Sequence, residues 1–261
     1  MPLFLHEIKR NKLSLIIWTA AVCFMLGVAL ILYPEMKGQL NQMGDMFSEM
    51  GAFSEAFGMS NINFGVFTNY FAVECGNVLG LGGAFFASLT GVNALYTEQS
   101  RKTAEFLLTH PLSRTKVMLS KLLALIFEIT VFTVVNMAVS YLAVLLIGES
   151  ISLKTVGLIF LAFFISQIVI AFISFGISAF LKSGGIGIAI GLSFGFYLVN
   201  IFANITESMN FLKYITPFSF CETTNIVLNS EITVKYLWPS LAFAVAGIVV
   251  AFLKYNKKDI S

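Results

Sequence analysis

The sequence predicts an all-α membrane protein with six transmembrane helices. Of its 261 residues, 57% are hydrophobic and only 11% are charged, whereas a soluble globular domain carries about 25% charged residues. The apolar residues also fall into runs of the roughly 20 residues that a helix needs to cross the hydrocarbon core. Strands of a membrane barrel would alternate apolar and polar residues, and these runs do not. Because no separate soluble segment remains, residues 1–261 are predicted to form a single transmembrane domain.

Six apolar runs are the predicted spans. They are Leu13–Tyr33, Asn69–Tyr96, Val117–Ile147, Val156–Leu181, Gly185–Ala203 and Tyr236–Leu253. The first span follows Lys9, Arg10 and Lys12, as the apolar part of a signal peptide would. Its apolar run is too long for a signal peptide, and no small-residue cleavage site follows. We therefore interpret it as a retained anchor.

The placement of Lys and Arg predicts the orientation. Twelve of the 16 basic residues fall in the amino-terminal tail, residues 98–121, the turn at Lys182 and the carboxyl-terminal tail. Such an excess marks the cytoplasmic side of a membrane. The sequence thus predicts a multi-pass protein of a prokaryotic cytoplasmic membrane, with both termini in the cytoplasm. The net charge of +2 reflects this bias and does not indicate a nucleic-acid partner.

Two long outer loops are predicted, residues 34–67 and 204–235. In the first, apolar side chains follow the spacing of an amphipathic helix lying on the outer leaflet or on a partner subunit; they are Met36, Leu40, Met43, Phe47 and Met50. The thioethers of Met43, Met46 and Met50 could bind a soft metal. Since no His or Cys lies near them, we predict no metal site. The second loop is too apolar to be fully solvated, so we expect it to fold back into protein or membrane.

Two stripes of small residues follow helical spacing. The second span carries Gly76, Gly80, Gly83, Ala87 and Gly91, and the fifth carries Gly187, Gly191 and Gly195. Small residues at every fourth position let helix backbones approach closely inside a membrane. Each stripe fits either packing within the bundle or the seam of a homodimer, and the sequence leaves both alternatives open.

Motifs of membrane enzymes are missing from the chain. Only two His residues occur, and neither stands in an H-E-x-x-H zinc motif. The sequence also lacks a G-x-S-x-G elbow and a G-x-x-x-x-G-K-[ST] phosphate loop. We therefore predict no catalytic residue, and neither a cofactor nor ATP bound by this chain.

Two carboxylates lie within predicted spans, Glu74 and Glu128. An ionisable group inside a membrane is costly and indicates a functional site by default. Together with Asn136 and Gln167, they are candidates for a translocation path. The alternative is that Glu74 reaches water near the outer end and that Glu128 is hydrogen-bonded between helices.

The segment EQSRKTAEFLLTHPLSRTKVMLSK, residues 98–121, is a charged insert between the second and third spans. Ala104, Leu107 and Leu108 share one helical face, with Phe106 at its flank. Pro111 ends this helix, and Ser113 is placed to cap the next one. Such a helix either docks on a partner or rests on lipid headgroups.

The insert resembles the signature of ABC-2-type transporter permeases, which runs E-x-x-x-G-T-x-E-x-L-L-x-x-P-(V/L)-S-R and is followed by a Lys. The matching residues are Glu98, Thr103, Glu105, Leu107, Leu108, Pro111, Ser113, Arg114 and Lys121. Lys102 replaces the usual Gly. The amino-terminal stretch FLHEIKRNK also resembles the interfacial helix with which such permeases begin.

This resemblance implies the ABC-2, type V exporter-like transmembrane fold, with a coupling helix within residues 98–116 that sits in a groove of a cytoplasmic ATPase. The residues implied in coupling are Glu98, Thr103, Ala104, Glu105, Phe106, Leu107, Leu108, Pro111 and Arg114. The implied partners are two copies of the ATPase, which would bind ATP and Mg²⁺, a second permease copy in a homodimer, and membrane lipid.

The resemblance implies a permease that exports a substrate with energy from the ATPase. An autonomous ion channel or secondary carrier using Glu74 and Glu128 is the alternative. Such a carrier is expected to show internal repeats and interrupted helices, which the sequence does not convincingly contain. A membrane anchor or sensor that transports nothing is a third possibility.

Overall fold

A computed structural model describes residues 2–49, 54, 63–100, 113–181, 184–205 and 207–256. This described part is 89% helical and contains no strand. Its helices are α1 (Pro2–Glu49), α2 (Phe67–Ser100), α3 (Arg114–Leu146), α4 (Leu153–Ser178), α5 (Gly185–Ile205), α6 (Thr223–Asn229) and α7 (Val234–Asn256). Two 3-10 helices, Glu207–Tyr214 and Ser219–Cys221, precede α6.

Six of these helices, all but α6, are long and apolar enough to cross a membrane. Each contains one of the six predicted spans, apart from a few residues at the ends of α3 and α4. The all-α, six-helix prediction is therefore confirmed. Several helices extend past the apolar runs, since polar residues continue the backbone hydrogen bonds beyond the apolar stretch.

The helix that contains the first span extends beyond that span into the segment predicted as an outer loop, where the spacing of Met36 and Leu40 already predicts a helix. Helix α1 continues through Pro34 to Glu49, although proline removes one backbone hydrogen bond and favours a break. Neighbouring aromatic residues brace this region: the Tyr70 hydroxyl donates to the Ala29 carbonyl at 2.9 Å, and the Tyr33 hydroxyl donates to the Gly65 carbonyl at 2.7 Å. The amino-terminal stretch FLHEIKRNK is also part of α1 and continues into the first span without a break.

Helices α2 and α4 form the centre of the bundle. Helix α1 packs on α3, α5 packs on α2, and α7 packs on α4. The α4–α7 crossing is close because both helices carry glycine there: a Cβ on Gly176 would lie 2.7 Å from the Gly247 carbonyl oxygen.

The two glycine stripes differ in what they face. A Cβ added to Gly91 of α2 would collide with the Ala171 carbonyl oxygen of α4, and one added to Gly83 would collide with the Gln167 side chain. The stripe on α2 therefore serves packing within the bundle. On α5, a Cβ added to Gly187, Gly191 or Gly195 would meet no atom within 4 Å. The α5 stripe therefore has free space beside it and is not covered by another described helix.

The segment between α5 and α7 folds back onto the bundle, as its composition predicts. Phe218, Phe220, Cys221 and Ile226 are buried. The Cys221 thiol donates to the Ala162 carbonyl of α4 at 3.2 Å, and burial raises the pKa of this thiol. Other apolar residues of the segment, Phe211 and Leu228 among them, remain exposed.

The start of α1, the start of α3 and the end of α7 lie at one end of the bundle, which we call the terminal end. The Arg114 guanidinium donates to the Tyr255 carbonyl at 3.2 Å and so joins α3 to α7 there. We call the opposite end, where the segment between α5 and α7 folds back, the loop end.

Candidate functional site

A buried ion pair joins α1 to α3 near the terminal end. The Lys121 ammonium lies 2.9 Å from the Glu7 carboxylate and also donates to the Ala94 carbonyl of α2 at 2.8 Å. Lys121 is 2% exposed and Glu7 is 4% exposed. Burying two charges is tolerated only when they are paired and hydrogen-bonded, and here the contacts connect three helices.

The same face of α1 carries two further polar contacts. Arg10, one helical turn beyond Glu7, lies 2.5 Å from its carboxylate. The Asn11 amide donates to both oxygens of Glu128, at 3.0 and 3.4 Å. We call the set formed by Glu7, Arg10, Asn11, Lys121 and Glu128 the polar cluster. Its two carboxylates balance its two cations.

The polar cluster lies where α2 and α3 meet the charged insert. Ala94 is in the last turns of α2, which enters the insert, and Lys121 is in the first turns of α3, which leaves it. Ser113 caps α3 by accepting a hydrogen bond from the Lys116 backbone N–H at 3.3 Å, as predicted. Contacts from α1 and α7 therefore fix the start of α3, and Lys121 joins α3 to the end of α2.

Most of the predicted coupling residues lie outside the described part of the chain: Thr103, Ala104, Glu105, Phe106, Leu107, Leu108 and Pro111. The backbone of Glu98 belongs to α2, which continues to Ser100. Arg114 is the one coupling candidate whose side chain the structure describes, and it contacts Tyr255 of α7. Met43, Met46 and Met50 also have side chains outside the described part.

The four translocation candidates have different hydrogen-bond partners and surroundings. Glu128 is 1% exposed and bonded to Asn11, whereas Glu74 lies near the loop end of α2 and is partly exposed. Gln167 accepts from Thr133 at 3.4 Å, and the Asn136 amide donates to the Phe132 carbonyl at 2.8 Å. Among the described side chains, no hydrogen bond joins any two of the four.

Asn136 and Ser140 keep buried oxygens that have no hydrogen-bond partner in the described part of the chain. They stand four residues apart and thus on one face of α3. Buried polar atoms are rarely left unpaired, so this face of α3 retains free hydrogen-bonding capacity, as do the hydroxyls of Thr19 on α1 and Ser166 on α4.

Sequence reasoning named only Glu128 of the polar cluster as a candidate site residue, and the hydrogen bond between helices that it gave as one alternative for this residue is present. It counted Arg10 and Lys121 as charges of cytoplasmic segments, and it assigned no role to Glu7 or Asn11. One signal was available: Glu7 is the single acidic residue in the basic stretch FLHEIKRNK, and Asn11 follows it at helical spacing. The partner on α3 could not be read from that spacing, because it depends on how the two helices pack.

The profile of the family described as ABC-2 family transporter protein matches residues 1–260. No curated protein matches the chain. Because the match spans both tails, all six membrane helices and the charged insert, the fold and the resemblance of the insert agree with it. The chain belongs to the ABC-2 family and is a membrane-embedded permease component of an ABC transporter.

Proposed function

We propose that this chain is the permease subunit of an exporter that carries its substrate out of the cytoplasm of a prokaryotic cell. The energy comes from two copies of a cytoplasmic ATPase, which bind ATP and Mg²⁺. The ATPase holds the segment of residues 98–116, and both chain termini lie on its side of the membrane. Family membership supports an ATPase partner, and the sequence has no phosphate loop of its own.

The observation that carries the proposal is the way in which the ends of the insert are fixed. The Lys121 ammonium is bound to Glu7 of α1 and to the Ala94 carbonyl of α2, and Arg114 is bound to α7. A force on the insert therefore reaches α2 and α3 directly, and α1 and α7 through these contacts. Such coupling needs a partner whose own shape changes, as an ATPase does during hydrolysis.

A second copy of this chain completes the proposed permease. Helix α5 presents Gly187, Gly191 and Gly195 with open space where side chains would be, and small residues at this spacing favour close helix–helix contact in membranes. We assign the α5 stripe to the dimer seam, since the stripe on α2 is occupied by α4. Cysteine at position 191 should form a disulfide between two copies, and cysteine at Leu123 on the exposed face of α3 should not.

Co-purification followed by reconstitution tests the proposal. The tagged chain, isolated from its native membranes, should bring along a protein with a phosphate-loop motif, and the pair should hydrolyse ATP in lipid discs. A purified chain that passes ions or solutes through liposomes without an ATPase would contradict the proposal and support the channel or carrier alternative.

A further inference from the structure

A polar cleft opens at the loop end, away from the polar cluster. It has a volume of about 70 Å³ and lies between the start of α2, the end of α5 and the segment that folds back before α6. One water needs about 10–15 Å³ measured in the same way. The cleft therefore has room for several waters or for a compact polar group.

Two opposite charges line this cleft. Lys213 comes from the 3-10 helix Glu207–Tyr214, and Glu222 stands directly before α6 without capping it. Both side chains are half-buried. In the part of the chain that the structure describes, neither forms an ion pair, with the other or with a third residue. A cation and an anion thus border one cleft with their charges unmatched.

Among the side chains that the structure describes, the rest of the polar lining consists of neutral hydrogen-bonding groups. Asn77 comes from α2, and Asn200 and Asn204 come from α5. Ser219 donates to the side-chain oxygen of Asn200 at 3.5 Å, which leaves the NH₂ group of Asn200 able to donate to a ligand. Such amides fix the orientation of a ligand without requiring a net charge.

We propose that the cleft binds a small zwitterionic group, an ammonium linked to a phosphate or a carboxylate. Lys213 holds the anionic part, Glu222 holds the ammonium, and the asparagine amides bind the remaining oxygens. Charge-assisted hydrogen bonds of this kind are stronger than neutral ones. A ligand with both charges satisfies both side chains at once, which a simple anion or cation does not. The site does not depend on ATP-driven export.

Two sources could supply this chemistry, the headgroup of an ethanolamine phospholipid and free phosphoethanolamine. The full chain in discs of phosphatidylglycerol, which lacks an ammonium, should bind phosphoethanolamine saturably by calorimetry. Glycerol phosphate and ethanolamine, each carrying one of the two charges, should bind at least about tenfold more weakly. In a second set of discs that contain phosphatidylethanolamine, the lipid headgroup should occupy the cleft and so weaken the apparent binding of added phosphoethanolamine.

Lys213→Met and Glu222→Gln should each weaken binding by about tenfold or more, with an unchanged melting temperature. Lys235→Met is the matched control, because Lys235 lies over the rings of Tyr214 and Tyr236 outside the cleft. This variant should bind phosphoethanolamine as tightly as the unaltered chain does. Binding of the lipid headgroup alone, or of the free compound alone, would identify the source. If neither the lipid headgroup nor free phosphoethanolamine binds, the proposal is overturned. Binding of glycerol phosphate that is as tight as that of phosphoethanolamine, or normal binding by both cleft variants, would also overturn it.

Discussion

Lys121 of α3 donates to the Glu7 carboxylate of α1 at 2.9 Å, and both side chains are almost completely buried. The two residues are 114 positions apart in the chain. Their contact makes the first helix part of the frame that holds the charged insert. The helix packing at the terminal end therefore requires that each of the two charges keeps its partner, because neither charge has access to bulk water.

Removing one member of this pair should destabilise the protein strongly. Glu7→Gln or Lys121→Met leaves a buried charge without its full partner, which typically costs about 3–5 kcal/mol. The double variant should recover part of that loss, since Glu7 and Lys121 no longer leave each other unmatched, although Arg10 still loses its contact with Glu7. Melting temperatures in detergent for the four proteins measure the coupling. Additive losses would show that the pair contributes nothing specific.

The two glycine stripes should respond oppositely to alanine. Gly91→Ala pushes a Cβ into the Ala171 backbone, and overpacking of this kind costs about 1–3 kcal/mol. Gly187→Ala meets open space and should leave the melting temperature of the single chain unchanged or raise it. Equal destabilisation by the two changes would contradict the assignment of the α2 stripe to packing within the bundle.

Cys221 should resist thiol reagents in the folded protein. Its thiol is buried against the Ala162 carbonyl, and burial raises its pKa above the ordinary value of 9.0. The reactive thiolate should therefore stay scarce when the pH rises from 7 to 9. Cysteine introduced at Leu228, which is 76% exposed, is the control and should react increasingly with an impermeant maleimide over that range. Comparable labelling of Cys221 would mean that the segment does not pack as described.

Glu128→Gln should keep the fold and lower transport. The amide side chain keeps an oxygen that can accept from Asn11, whereas it removes the negative charge that makes Glu128 a candidate for the translocation path. An unchanged melting temperature with a reduced transport rate is the expected pair of results. Glu128→Leu, which removes the acceptor as well, should lower both. Normal transport by Glu128→Gln would reduce Glu128 to a packing residue.

The sequence predicted those features that depend on a single local property, such as hydropathy or a capping side chain. Hydropathy located all six helices, and the side-chain oxygen of Ser113 marked the start of α3. It did not predict that one continuous helix passes through Pro34, because the hydrogen bonds of Tyr33 and Tyr70 that support this region depend on the folded chain. Lys121 looked like a loop charge because its burial depends on Glu7 and Ala94, which only the folded bundle brings near it. The distinction between the glycine stripes likewise required the position of α4.

The most direct test of the account concerns the coupling segment itself. Leu107→Ala combined with Leu108→Ala removes apolar anchors of the predicted helix, and truncating such anchors typically costs about 1–4 kcal/mol of association. The double variant should insert normally into the membrane, yet it should no longer co-purify with the ATPase or stimulate its hydrolysis. Leu119→Ala with Leu123→Ala, on the exposed face of α3, should retain both properties. Unchanged ATPase binding and substrate-stimulated hydrolysis in the Leu107 and Leu108 variant would contradict the account and leave the segment as a helix resting on lipid.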